Sequence, residues 1–361
     1  MRFEIINYTL RLRSAGQLRI INDIAYIAIS VYCLLFTSCV KDKPQEPINS
    51  TINLSSNNKV FVINEGKFQD PGAGAGISLY DAVSGNVAED YFKQQNPSVV
   101  LGDICQNMIK HNGNYYLVVN NSQKIEVVNA SDFKKKTTIT GLNSPRYLLP
   151  ITYNKVYVSD LYAHSIQILD LNSNAITGSI PTYSNTQQMV MIYNKAFITS
   201  YSSDYCYVIN TVTDAITDSI TVNKGASSLV LDKNSKLWVL SSSKLTRINP
   251  VTLQTELSLS FITTDSPFNL CTNKTKDTLY YLNNGICHLP IVNSALPATA
   301  LIAKGTKDYY GLGINPNDYS IYVSDAAGFS QKSTIEIYTV NGVFLKSFKA
   351  GYVANGFLFS E

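Results

Sequence analysis

The chain has 361 residues, of which only 15% are charged and 24 are tyrosine, and its formal net charge is +3. Charge this weak, with no basic stripe, excludes a nucleic-acid-binding protein, which needs clustered Lys and Arg to neutralise phosphates. The aromatic content and the scarcity of amphipathic helical stretches favour strands over helices, so the composition predicts an all-β protein.

The first residues are typical of an export signal. A basic leader carries Arg2, Arg11, Arg13 and Arg19. The apolar run that follows, residues 24–36, is too short to span a bilayer and predicts a signal-peptide core. Residues 35–39 (LFTSC) resemble a lipobox, which implies cleavage of residues 1–38 and lipidation of Cys39. An ordinary cleaved signal, or an uncleaved anchor with Cys39 incidental, is the alternative.

Residues 39–58 are predicted to be the lipidated cysteine and a flexible tether, because the segment is polar and has no apolar periodicity. Loss of residues 1–38 removes four basic and two acidic side chains from totals of 29 and 26, which leaves a net charge of +1. Lys41 and Asp42 resemble the charged surface-export signal of Bacteroidota lipoproteins. That resemblance implies an outer-membrane, lipid-anchored protein exposed at the cell surface.

From residue 59 onward, short strands recur, each with an aromatic residue after a small or aliphatic one. The seven aromatic residues are Phe61, Tyr116, Tyr157, Phe197, Trp238, Tyr280 and Tyr322. The first interval is 55 residues and the other five are 40 to 42 residues. A fixed period of this length predicts a β-propeller with one blade of four antiparallel strands per repeat.

Two further strands of each repeat are visible in the pattern. Alternating strands after the aromatic ones end in a turn residue that is expected to accept a hydrogen bond from the backbone two positions on: Asp81, Asn129, Asp170, Asn210 and Asn249. Seven inner strands precede the aromatic ones but are offset by one repeat, since the last, around Asn355, has no aromatic strand after it. We therefore predict that residues 59–361 form seven blades, closed by the C-terminal strand completing the N-terminal blade.

Residues 155–182, from KVYV through SIQILDLNSNAITGSIPT, resemble the YVTN-type propeller repeat of exported and surface-layer proteins. The opening FVINEG at residues 61–66, followed by a glycine-rich loop and ISLYD, resembles a narrower group. That group is the Bacteroidota surface lipoproteins that include the cobalamin-capturing partner of an outer-membrane transporter. The resemblance implies a seven-bladed propeller and, for some members, a corrinoid ligand.

Loops that enter the inner strands and loops that follow the aromatic strands open on the same face, which we call the loop face. A ligand site is expected there, around the central channel. The residues predicted to line it are polar or aromatic: Asn64, Glu65, Asp103, Gln106, Asn120, Arg146, Tyr147, Asp160, Tyr162, Gln187, Gln188, Tyr201, Phe268, Asn269, Asn283, Tyr309, Tyr310, Asp325 and Asn355. Amides and phenols suit a large neutral ligand with peripheral amides, such as a corrinoid or an oligosaccharide. Ordinary loop roles for these residues are the alternative.

The glycine-rich loop, residues 66–76, is the only large insertion and projects from the same face, where it could fold over a ligand or touch a partner. It carries no Gly-Lys-Ser/Thr ending, so it is not a phosphate loop. The chain has three histidines, in unrelated blades, and four scattered cysteines downstream of Cys39. No catalytic residue, metal site or cofactor is predicted.

The sequence thus predicts a surface lipoprotein that binds a ligand, with cobalamin or another corrinoid as the expected one, and passes it to a TonB-dependent transporter. An adhesion or protein-interaction propeller without a small ligand is the alternative, and it predicts an exposed apolar patch on the flank or the opposite face. A lyase or hydrolase on a propeller would have a similar sequence, and clustered carboxylates would favour it.

Overall fold

The computed structural model describes residue 54 and residues 58–360. The predicted signal peptide and Cys39 lie outside the described residues, as does all of the predicted tether except Leu54 and Asn58. Within the described residues, 28 strands form seven antiparallel sheets of four strands each, and no helix is long and apolar enough to cross a membrane. The sheets form a ring, so the prediction of an all-β, seven-bladed propeller is confirmed.

Each blade begins with an inner strand at the central channel. From blade 1 to blade 7 these are β28 (Ala354–Phe359), β4 (Cys105–His111), β8 (Pro145–Pro150), β12 (Met189–Ile192), β16 (Ser228–Leu231), β20 (Phe268–Thr272) and β24 (Tyr309–Ile314). Inner strands of neighbouring blades contact one another around the ring, for example β4 with β8 and β20 with β24.

The second strand of each blade carries the repeated aromatic residue. These strands are β1 (Lys59–Asn64), β5 (Asn114–Val119), β9 (Lys155–Asp160), β13 (Lys195–Thr199), β17 (Leu237–Leu240), β21 (Thr278–Leu282) and β25 (Ile321–Asp325). All seven aromatic side chains are buried, which explains their recurrence: each fills the space between two blades. Burying a side chain of this size contributes roughly 1.5–3 kcal/mol.

The third and outer strands complete the blades. The third strands are β2 (Gly76–Asp81), β6 (Lys124–Asn129), β10 (Ser165–Asp170), β14 (Tyr205–Asn210), β18 (Lys244–Ile248), β22 (Gly285–Pro290) and β26 (Lys332–Tyr338). The outer strands are β3 (Val87–Ala88), β7 (Lys135–Ile139), β11 (Ala175–Pro181), β15 (Ala215–Thr221), β19 (Thr255–Ser260), β23 (Ile302–Ala303) and β27 (Phe344–Tyr352). In the turns between them, the five predicted Asp and Asn side chains each accept a hydrogen bond from the backbone two residues on, at 2.9–3.2 Å.

The C-terminal strand closes the ring as predicted. β28 pairs antiparallel with β1, with Val60 opposite Phe359 and Val62 opposite Phe357, and the Ser360 amide donates to the Lys59 carbonyl at 2.8 Å. Blade 1 therefore takes one strand from the end of the chain and three from its beginning. The pairing satisfies two strand edges that would otherwise be open.

The apolar core lies between blades rather than in the channel. Along β1, Phe61 and Ile63 pack toward blade 2, and Val60 and Val62 pack toward blade 7, as the alternation of a strand requires. Phe61 stacks on Phe133 of blade 2 with ring centroids 5.5 Å apart. Each blade is thus held by apolar contacts on both of its faces.

Within residues 58–360, one α-helix interrupts the all-β pattern, and it was not predicted. Helix α1 (Tyr91–Gln95) lies between blades 1 and 2 and begins at Asp90, whose side chain accepts a hydrogen bond from the Lys93 amide at 3.1 Å. Tyr91 and Phe92 are buried beside Phe133, which holds the helix against blade 2. The long first interval therefore divides into two insertions, the glycine-rich loop and the segment that contains α1.

The glycine-rich loop folds back on the blade instead of projecting freely. It contains a short 3₁₀ turn (Pro71–Ala73), and the Lys67 amide donates to the Ala73 carbonyl at 2.7 Å. The Ala75 amide donates to the Gly102 carbonyl at 3.0 Å, which joins the loop to the α1 segment. Both insertions therefore form one structure on the loop face of blade 1.

Candidate functional site

Seven polar side chains from six of the seven blades lie around the channel on the loop face, and we call them the channel belt. They are Glu65, Gln106, Arg146, Gln187, Asn269, Tyr310 and Asn355. Five of them occupy the second position of an inner strand, Gln187 precedes β12, and Glu65 directly follows β1. All seven belong to the set predicted from the sequence.

Glu65 is the acidic member of the channel belt and is only 9% exposed. Its carboxylate accepts hydrogen bonds from the Asn355 amide at 2.9 Å and from the Tyr310 hydroxyl at 3.2 Å. Burial raises the pKa of Glu65 above its ordinary value, although Asn355, the charge of Arg146 and Tyr310 oppose the shift. Residues that are 245 and 290 positions apart in the chain meet here because β28 closes the ring.

Arg146 is the basic member and connects three blades. Its Nε donates to Gln187 Oε1 at 3.1 Å, and its Nη1 donates to Gln106 Oε1. Asn355 Nδ2 donates to the Gln106 carbonyl at 3.0 Å, which joins the Arg146 group to the Glu65 group. One carboxylate and one guanidinium leave the belt formally neutral when both are charged.

Several contacts around the channel join equivalent positions of successive repeats, 41 residues apart. Asn269 donates to the Tyr310 carbonyl at 2.6 Å, and Gln188 accepts from the Leu229 amide at 3.3 Å. The buried Asn355 Oδ1, by contrast, accepts no hydrogen bond from the described residues. A ligand donor at the channel would supply the partner that this oxygen lacks.

Some predicted site residues instead hold the loops in place. Asp160 is fully buried and accepts hydrogen bonds from the amides of Ser144, Tyr162 and Ala163 at 2.8–2.9 Å. Asp325, at the same place in blade 7, accepts from the amides of Asp308 and Ala327 at 3.0 and 3.1 Å. Carboxylates at this repeat position thus organise the adjoining loops.

Other predicted residues point between strands or blades. Asn120 is buried and donates to Ser144 Oγ and to the Pro145 carbonyl, both at 2.9 Å. Tyr309 donates to the buried Glu336 carboxylate at 3.0 Å, and burial raises the pKa of its hydroxyl. Phe268 packs against the core between blades 6 and 7.

The remaining predicted residues lie beside the channel belt, at a separate cavity, or at the solvent-exposed rim. Gln106 Nε2 lies 3.5 Å from the Tyr147 hydroxyl, and Asn283 accepts from the Ser266 amide at 3.2 Å. Asn64 and Asp103 line a separate cavity on blade 1. Tyr162 and Tyr201 extend into solvent from loops after the second strands.

Sequence reasoning missed several exposed aromatic residues on this face, including Tyr183 and Phe329. Tyr183 lies in the loop from blade 3 to blade 4, and Phe329 lies in the loop after β25, where it contacts Tyr310 edge-on with centroids 5.1 Å apart. Their loops follow no repeat pattern, so only their position between strands could have identified them.

The described part of the loop face holds no candidate metal site. Among the residues that the structure describes, no three His, Cys, Asp or Glu side chains are placed to hold a metal ion. The four cysteines of the propeller are free, and Cys271 on β20 and Cys287 on β22 are separated by β21. The arrangement offers amide, phenol and aromatic contacts around the buried Glu65 carboxylate and the Arg146 guanidinium.

Comparison with solved structures gives the same fold. The chain is similar to a quinonprotein alcohol dehydrogenase-like protein of Bacteroides thetaiotaomicron VPI-5482, with 15% identity, TM-score 0.67, and coverage of 86% of this chain and 80% of that one. It is also similar to a putative 6-phosphogluconolactonase of Bacteroides fragilis NCTC 9343, with 11% identity, TM-score 0.65, and coverage of 86% and 100%. A periplasmic gluconolactonase of Pseudomonas aeruginosa gives 9% identity, TM-score 0.65, and coverage of 84% and 99%.

At such identities these likenesses establish the architecture alone, because propellers host many activities. No curated protein sequence matches the chain. One family model does match, over residues 58–359, which is the whole propeller. The chain therefore belongs to the family described as a domain of unknown function, DUF5074.

Proposed function

We propose that this propeller is a ligand-binding protein that holds a large, uncharged ligand across the loop face, over the channel belt. The main observation in its support is that the channel belt has no net formal charge and that exposed aromatic side chains surround it. Flat aromatic rings provide contact area at low entropic cost, and the amides provide directional hydrogen bonds. The unpartnered Asn355 Oδ1 adds an acceptor for a donor on the ligand.

The specific ligand proposed is cobalamin or a related corrinoid, whose peripheral amides would meet Glu65, Gln106 and Asn355. In this proposal the protein is a surface lipoprotein anchored through Cys39, and it delivers the ligand to a TonB-dependent outer-membrane transporter. The resemblance of residues 61–66 to a cobalamin-capturing group supports the choice of ligand.

Isothermal titration of residues 40–361 with cyanocobalamin tests the proposal. We expect binding at micromolar concentration or tighter. A double variant, Tyr162→Ala with Tyr201→Ala, is expected to weaken binding about tenfold, which corresponds to about 1.4 kcal/mol. Absence of binding to the unmodified protein would end the corrinoid assignment.

The opposite face supplies a matched control. Tyr153 and Tyr193 lie in loops between inner and second strands and are 72% and 61% exposed, against 67% and 58% for Tyr162 and Tyr201. Replacing Tyr153 and Tyr193 with alanine removes two exposed phenol rings from the opposite face of the propeller. We expect no change in cyanocobalamin affinity, and equal losses in the two double variants would contradict a site on the loop face.

The second candidate is a protein-interaction module, and one observation favours it. On the opposite face, turns between third and outer strands present exposed valines in five blades: Val83, Val212, Val251, Val292 and Val343. Because each belongs to a different blade, they form an interrupted ring and not one apolar patch. The ligand-binding proposal therefore has the stronger support.

A further inference from the structure

A cavity of about 780 Å³ lies on the loop face of blade 1, to one side of the channel belt. Its walls are the glycine-rich loop, α1 and residues 99–103, and the end of β27 completes it. Small-molecule sites generally measure roughly 300–1,000 Å³, so the space suits an ordinary metabolite. None of the channel-belt residues lines this cavity.

The cavity is built by close backbone packing at glycines. A Cβ on Gly351 would lie 2.7 Å from Asn64 Cγ, and a Cβ on Gly102 would lie 2.4 Å from Ser122 Oγ. The backbone amide of Gln69 donates to Asp103 Oδ2 at 3.1 Å, which attaches the glycine-rich loop to the segment of residues 99–103. These contacts preform the cavity.

Two acceptors at the cavity have no partner among the described residues. Asn64 is 1% exposed and uses its Nδ2 on the Val62 carbonyl and Ser78 Oγ, which leaves Oδ1 without a donor. Asp103 accepts from Gln69 and Asn121 through Oδ2, whereas its Oδ1 is buried and unpartnered. A buried acceptor without a hydrogen bond costs about 1–3 kcal/mol, and a donor-bearing ligand would remove that cost.

The charge of the lining selects among such ligands. Four carboxylates border the cavity, those of Asp70, Glu89, Asp90 and Asp103, against the two lysines Lys93 and Lys332. Lys332 forms an ion pair with Glu89, so this lysine's charge is already matched within the wall. Lys67, whose ammonium lies over the ring of Tyr352, adds a third positive charge, so one negative charge remains in excess. This excess favours a cation and disfavours an anion.

Part of the cavity lining is apolar. Phe92, Val99 and Leu101 contribute carbon surface, and Tyr352 adds an aromatic ring over which the Lys67 ammonium lies at 4.6 Å. A ligand that fits this lining carries both polar donors and C–H groups. Hydroxylated rings and short carbon chains bearing an amine meet this requirement.

We propose that the blade-1 cavity is a second binding site, for a small protonated amine that also carries hydroxyl groups, with Asn64 Oδ1 and Asp103 Oδ1 as its acceptors. Amino sugars belong to this chemical class. The site is separate from the channel belt, so it operates whether or not a corrinoid binds there.

Ligand-observed NMR and calorimetry with residues 40–361 test the proposal, using glucosamine in mildly acidic buffer and glucuronate as a probe of similar size and opposite charge. We expect saturable binding of glucosamine at millimolar concentration and none of glucuronate. Asp103→Asn is expected to weaken glucosamine binding about tenfold, because it removes the charge and keeps the shape. Failure of glucosamine to bind, or equal binding of glucuronate, would overturn the proposal.

An exposed residue at the rim provides a variant that does not depend on the buried network. Val100 lines the cavity and is 75% exposed, and Val83 on the opposite face is also 75% exposed. Val100→Trp is expected to abolish glucosamine binding by filling the entrance, and Val83→Trp to leave it unchanged. Unaltered binding in Val100→Trp would place glucosamine elsewhere and refute the site.

Discussion

The Glu65 carboxylate combines burial with a central position in the channel belt. Tyr310 and Asn355 donate to it, and Arg146 contributes an attractive charge. Desolvation nevertheless outweighs these effects and raises its pKa. The charged form of Glu65 is therefore retained at a cost to folding, which is common where a side chain serves binding more than stability.

This cost predicts a pH-dependent effect of Glu65→Gln. Because the folded-state pKa lies above the ordinary value of 4.5, the folded protein binds this proton more tightly than the unfolded chain. Stability from Glu65 is therefore present at low pH and is lost as pH rises from 4.5 through the folded-state pKa. The neutral glutamine avoids that loss.

Urea unfolding of both proteins at about pH 4 and about pH 7 measures the effect. Relative to the unmodified protein, we expect Glu65→Gln to become more stable as the pH rises between these two values, because it lacks the carboxylate whose ionisation opposes folding. A relative loss over the same interval would show that attraction to Arg146 outweighs desolvation.

At the residue scale, the sequence pattern predicted correctly which positions lie on the loop face. It was less successful in predicting the direction in which their side chains point. Gln106 and Tyr310 sit in strands, whose alternation directs them into the channel. Asp160 and Asn120 end or follow strands, and their side chains turn back to bind backbone groups. Loop dihedrals decide that direction, and residue type alone does not encode them.

Among the elements, the glycine-rich loop depends on one close approach. Gly66 has φ of +83°, and a Cβ there would lie 2.4 Å from the backbone carbonyl carbon of Gly74. Gly141 has nearly the same φ, +82°, but a Cβ at this position would meet no atom within 4 Å. Alanine substitutions at Gly141 and Gly66 therefore separate the cost of backbone strain from the cost of steric overlap.

We expect Gly141→Ala to lower the free energy of unfolding by about 1 kcal/mol, the cost of a left-handed alanine. Gly66→Ala is expected to lower the free energy of unfolding by about 1–3 kcal/mol more than Gly141→Ala does, because the loop must move away from Gly74. Urea unfolding of the two variants measures both values. Equal losses would mean that the loop is not packed as described.

Helix α1 shows why the second insertion escaped prediction. It has five residues, too few for helical periodicity to appear, and its only local signal is the capping side chain of Asp90. The blade-1 cavity depends on this helix and on glycines far away in the chain, such as Gly351. Sequence spacing cannot show such a contact unless the ring is built first.

For the whole molecule, repetition made the architecture predictable. Five intervals of 40 to 42 residues and the offset of the inner strands required seven blades and a closure between the two ends. The structure confirms that pairing, with Phe61 opposite Leu358. The choice of ligand is not encoded in the repeat, because it depends on loops that differ from blade to blade.

Ring closure is the physical basis for both proposed sites, since it brings Asn355 to Glu65 and the end of β27 to blade 1. Amide hydrogen exchange of residues 40–361 tests it most directly by comparing β28 with β12, the inner strand of blade 4, which is continuous with its own blade. We predict that the β28 amides are protected to the same degree as those of β12. Exchange in β28 as fast as in the surface loops would show that the last strand does not close the ring.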